Sequence, residues 1–177
     1  MRKEYSGVLR DLFTAAMREK FPWFDAVKIK GNPYVWPGER IFLWKPRESI
    51  ECYVILSISH QYDEFFVSVG WSKLNRFPQL GRGALRPSSH REEFSENEYL
   101  VKATYLCGDR DDWGVSSMTR QGDSEFLPDF DDLMQSQMKP ITRNEAKGVV
   151  QPIVHDVMKC LEHYGIPYLE EFIASTD

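Results

Sequence analysis

Cysteine and histidine are scarce in this chain of 177 residues, and what they fail to form excludes several chemistries at once. The three cysteines, Cys52, Cys107 and Cys160, are far apart and form no Cys-x-x-Cys pair, so neither a zinc ribbon nor a thioredoxin-like redox site is indicated. Each lies in an apolar stretch, where a free thiol acts as a small hydrophobe, and the expected setting is reducing. The four histidines, His60, His90, His155 and His163, contain no His-Glu-x-x-His pattern, and the last two stand too far apart to share adjacent helical turns. No Gly-x-Ser-x-Gly elbow is present, and no Gly-Lys-Ser/Thr ending marks a phosphate loop. Apolar runs are too short to span a bilayer. The opening Met-Arg-Lys-Glu-Tyr leads into an amphipathic pattern rather than a signal-peptide core, so the expected location is the cytoplasm.

What is present describes a folded protein. Hydrophobic residues make up 42% of the chain and aromatics 14%, well above what a disordered segment carries. The length suits one domain over 1–177 with a sizeable core. Net charge is −5, which argues against general nucleic-acid binding and suits a basic partner.

Periodicity gives the organisation. Tyr5, Leu9, Leu12, Phe13 and Ala16 fall at helical spacing across Glu4 to Lys20, and Phe21-Pro22 stops that helix because the residue before proline leaves helical geometry. Ala26 to Lys30 reads as a short strand, followed by turns at Gly31-Asn32-Pro33 and Pro37-Gly38. Arg40 to Lys45, Glu51 to Ser59 and Glu64 to Trp71 read as neighbouring antiparallel strands, and Tyr99 to Cys107 as one more. Thr142-Arg143-Asn144-Glu145 fits a capping box, and a helical pattern runs on to Leu161 with Pro152 expected to kink or restart it. Gly165 is expected to stop that helix and Pro167 to open a last one. The expected class is α+β: an antiparallel sheet packed by an N-terminal helix and C-terminal helices.

Charge is segregated. Between Lys73 and Arg91 lie five basic residues and no acid; the arginines are Arg76, Arg82, Arg86 and Arg91. Arginine forks bind anions bidentately, so this stretch is a candidate phosphate or nucleotide cradle, with His60 or His90 as a proton carrier. The blander expectation is a solvated loop whose charges pair with the protein's own acids. From Glu92 onward the sign reverses through Glu93, Glu96 and Glu98, and between 109 and 132 eight acids face only Arg110 and Arg120. Asp109-x-Asp111-x-x-Gly114 imitates the start of an EF-hand loop. Its fifth position is Trp113 and its twelfth Arg120, where a bidentate glutamate is required, so no metal site is expected. Neither a catalytic set nor a cofactor site emerges.

Trp113 and Phe130 set among Asp109, Asp111, Asp112, Asp129, Asp131 and Asp132 suggest aromatic anchors in a charged surround, suited to a basic protein partner. The competing expectation for each ring is burial in the core.

The opening helix, the strands through Ile41–Lys45, Cys52–Ser59 and Phe65–Trp71, and the ending His163-Tyr164-Gly165-Ile166-Pro167-Tyr168-Leu169 resemble, in layout, small bacterial α+β immunity proteins of polymorphic toxin systems. The resemblance covers most of the chain in outline and carries no site residues. It implies a cytoplasmic binding protein, rather than an enzyme, that neutralises a basic toxin or effector domain by occluding its active site. The alternative is a small enzyme or a nucleotide- or phosphate-binding domain using 73–91.

Overall fold

The computed structural model describes residues 1–59, 62–79, 97–108, 112–115 and 140–176. Helix α1 (Lys3–Lys20) opens the chain. The strands β1 (Asp25–Val27), β2 (Arg40–Arg47), β3 (Ile50–Ile58), β4 (Glu64–Ser72) and β5 (Glu98–Lys102) pair in that order, every pair antiparallel. A short helix α2 (Ala103–Cys107) precedes the two-residue strand β6 (Trp113–Gly114), which pairs with β4 at Glu64–Phe65. Helix α3 (Arg143–Cys160), a π-helical turn (Leu161–Gly165) and α4 (Ile166–Ala174) follow. The expected α+β class is the observed one.

The sheet has two unlike faces because side chains alternate along each strand. One face presents Phe42, Cys52, Val54, Leu56, Phe65, Val67, Val69, Trp71, Tyr99 and Val101, and the helices cover it. Helix α1 contributes Tyr5, Leu9, Phe13 and Met17, four residues apart and all buried. Phe13 meets Phe42 with ring centroids 5.7 Å apart, and Trp71 stacks on Phe172 at 3.9 Å. The helix ends as its sequence dictates, with the Phe21 N–H donating to the Met17 carbonyl at 2.8 Å and Pro22 next. Its start is held from outside: the Arg2 N–H and Nε donate to Asp63 at 2.8 and 2.7 Å, which ties α1 to the β3–β4 connection.

Helix α3 begins with the expected capping box: Glu145 N–H donates to Thr142 Oγ1 at 3.3 Å, and Thr142 N–H to Glu145 Oε2 at 2.8 Å. Pro152 does not break it, and α3 runs through to Cys160.

Gly165 does not stop the helix either; its φ of −68° and ψ of −47° are helical. A Cβ there would lie 3.0 Å from Leu161 Cδ2 and 3.4 Å from Val69 Cγ1, so the glycine admits close packing of the π-helical turn on β4. Tyr99 to Cys107 is not one strand: the chain leaves the sheet after Lys102 and turns into α2. The reading of three separate thiols is also corrected. Cys107 and Cys160 form a disulfide between the ends of α2 and α3, with Cα atoms 5.7 Å apart, and Cys52 alone is free.

Candidate functional site

The second face of the sheet carries the polar chemistry. Among the described residues a small apolar cluster lies there, Ile41, Tyr53, Ile55, Phe77 and Leu100, with Val27, Ile29, Val35 and Leu43 packed against it. Around it the alternation of β2 to β5 brings up Lys45, Glu51, Ser57, Phe66, Glu98 and Lys102. Buried Glu51 accepts from the Tyr53 hydroxyl at 2.5 Å and holds Lys45 Nζ at 2.5 Å. Burial first, and then that charged neighbour, push the Tyr53 phenol well above its ordinary range. Ser57 Oγ donates to Glu39 at 2.5 Å, and the other Glu39 oxygen accepts from the Trp36 N–H at 2.9 Å.

In the described part of the basic stretch, Arg76 pairs with the acidic part and Lys73 sits over the Phe172 ring. Arg76 sends Nε and Nη2 to the two oxygens of buried Glu98, at 3.1 and 2.9 Å. A guanidinium used as a fork in this way is a structural clamp, so Arg76 is engaged internally. Arg82, Arg86 and Arg91 lie outside the described residues, as do His60 and His90. Asp63, three positions beyond His60 in sequence, is engaged with Arg2.

Of the acidic candidates, Asp112 is partly exposed and joins Lys102 Nζ at 2.9 Å. Lys102 also sits over the Phe66 ring, 4.8 Å from its centroid. Trp113 is a correction: only 2% of it is exposed. Its ring stacks on Phe65 at 5.8 Å, and its Nε1 donates to Asp156 at 3.2 Å. Two-residue β6 anchors this tryptophan on the helix-covered side, which gives its apolar ring a core and its N–H a carboxylate. It is therefore not an exposed anchor. Asp109, Asp111, Asp129, Phe130, Asp131 and Asp132 lie outside the described residues.

Exposed aromatics stand beside Asp112 instead. Trp36 (44% exposed) and Tyr62 (59% exposed) line an open cleft of about 540 Å³ together with Phe66, Glu64 and Asp112. Trp36 packs edge-on against Phe66, centroids 5.9 Å apart. The sequence signal for this pair was their position in turns: Trp36 adjoins Pro37-Gly38, and Tyr62 lies between β3 and β4. Large aromatics in turns have little chain around them to provide burial.

Among the described residues no group of three or more His, Cys, Asp or Glu side chains is placed to hold a metal, and no helix is long and apolar enough to cross a membrane. Cys52 makes a poor nucleophile, since burial pushes its thiol up to about 12. The fold and surface together define an α+β protein with one helix-covered sheet face and one polar, partly aromatic face. Neither a family model, nor a curated protein, nor a solved structure matches the chain.

Proposed function

We propose that this chain is a protein-binding protein of the immunity or inhibitor type, which neutralises a basic toxin or effector domain by covering its active site. The observation that carries the proposal is the cleft in which exposed Trp36 and Tyr62 stand beside Glu64 and Asp112. Rigid aromatic anchors ringed by one sign of charge are what protein interfaces use for affinity and for steering. Of the acid-rich 109–132 sequence, Asp112 lines this cleft together with Glu64, and both carry the negative charge that suits a basic partner. The toxin-neutralising half of the proposal rests on the layout resemblance. The proposal also carries a cytoplasmic setting, against which the Cys107–Cys160 disulfide counts, because such bonds persist in oxidising compartments. Thiol trapping at lysis reads this out: three labelled cysteines support it, and one contradicts it.

The direct test uses a toxin domain encoded beside this chain. The intact protein should bind it and restore growth of cells expressing it. Trp36→Ala and Asp112→Lys should each weaken binding by about tenfold or more. Unchanged affinity and protection in both variants would remove this surface from the proposal.

A further inference from the structure

A second cleft, of about 730 Å³, opens between α1 and the segment joining β1 to β2. Its cations come from both walls. Arg10 and Arg18 project from α1 on the same stripe as Thr14, at four-residue steps. Lys28 and Lys30 come from the chain after β1, and Arg40 from the first position of β2. Two carboxylates lie on the lining, and both are occupied: Asp11 by Arg143 at 2.6 Å, and Glu39 by Ser57 and the Trp36 N–H.

This arrangement differs from the treatment of cations elsewhere. Arg2, Lys20, Lys45, Arg76, Lys102 and Arg143 each hold a carboxylate. None of the five cleft cations holds one within ion-pair distance among the described residues. Arg10 bears the consequence: partial burial first, and then the like charge of Arg40, lower its pKa, with Asp11 opposing. Two guanidinium groups near enough to feel each other repel, and a multivalent anion between them would reverse the sign. Local backbone brings the walls together. Gly38 has φ +86°, and a Cβ there would come 3.1 Å from Arg10 Nη2, so the guanidinium lies close over the bare turn.

We infer that this cleft binds a phosphate-bearing small molecule with a planar heterocyclic half, as in nucleoside di- and triphosphates: the phosphates between Arg10 and Arg40, and the ring against Trp36. The volume falls in the range of about 300–1,000 Å³ typical of small-ligand sites. Guanidinium forks match phosphate oxygens, and Trp36 lines the same cleft with its ring partly exposed. The cleft is separate from the basic stretch 73–91.

The test is calorimetric titration of the intact chain at low ionic strength with ATP, GTP and inorganic triphosphate. Both nucleotides should bind and raise the melting temperature, since a ligand selective for the folded state stabilises it. Arg10→Gln with Arg40→Gln should weaken binding at least about tenfold. Lys28→Gln with Lys30→Gln, two exposed changes, provides a second reading and should also weaken it. Asp112→Lys, at the other cleft, should not weaken it. No binding by either nucleotide, or undiminished binding after both pairs of substitutions, would overturn the proposal. Inorganic triphosphate binding as tightly as ATP would overturn the role given to Trp36.

Discussion

The two faces of one sheet have been put to opposite uses. Strand β3 shows it within a single dipeptide: Cys52 points into the helix-covered core, and Tyr53 points to the polar face and hydrogen-bonds Glu51. On the first face, helices α1 to α4 bury a continuous set of large apolar side chains, and stability there follows from area removed from water. On the second, a small apolar patch is surrounded by carboxylates, cations and hydroxyls satisfied in pairs, and both clefts border it. What the difference teaches is a division of labour: one face holds the fold, and the other carries paired polar groups beside the clefts proposed for recognition.

The largest effect expected from breaking this division is on the covered face. Phe13 is fully buried between α1 and β2, so Phe13→Ala should cost about 3–5 kcal/mol of stability. Chemical denaturation would measure it. Partner and nucleotide binding should be unchanged wherever the variant remains folded. A loss under about 1 kcal/mol would mean that the helix-covered face does not carry the fold in the way described.

A smaller effect compares the faces through neighbouring titrations. Both the Cys52 thiol and the Tyr53 phenol have folded-state pKa values raised above their ordinary ones, Cys52 from 9.0 to about 12. In each case the unfolded chain loses its proton first. The stabilising contribution is therefore complete below the unfolded pKa and is lost as pH rises through the folded one. Stability should fall from pH 9 upward, by a few kcal/mol at most near pH 12 for Cys52. Cys52→Ala should remove the part that begins at pH 9 and leave the later part due to Tyr53. Glu51→Gln should make the Tyr53 phenol titrate earlier, because it removes the adjacent negative charge. Urea midpoints and tyrosinate absorbance across pH would show whether the two titrations separate in this way.

How much of this was legible beforehand follows from the range of the signals. Helix α1, its stop at Phe21-Pro22 and the capping box at Thr142 are local features, and the sequence states them directly. The alternation of Cys52, Val54 and Leu56 against Tyr53 and Ser57 announced a sheet with two faces. Tyr99 to Cys107 misled because a short apolar run fits strand and helix equally well. Gly165 read as a stop because glycine does end helices, whereas here its small size serves contact with Val69. The Cys107–Cys160 pair, 53 positions apart, left no trace in spacing. Trp113 looked exposed because its neighbours in sequence are acidic; its neighbours in space, Phe65 and Asp156, come from β4 and α3. The five-cation cleft was hidden for the same reason, since Arg10 and Arg40 lie thirty positions apart.

The smallest stability effect is expected on the polar face, and it sharpens the comparison most. Trp36 is partly exposed in a turn and packs edge-on against Phe66, so Trp36→Ala should alter stability by less than about 1 kcal/mol. Yet Trp36 lines both clefts, and the same substitution should weaken toxin-domain binding and lower the preference for a nucleoside triphosphate over inorganic triphosphate. Phe13→Ala predicts the reverse profile, with stability lost and recognition kept. Measuring both variants for denaturation midpoint and for both affinities gives six readings that must cross if the faces are divided as argued. Should Trp36→Ala unfold the protein, its ring belongs to the core and not to recognition. Should it leave both affinities intact, the aromatic edge of the polar face has no part in binding.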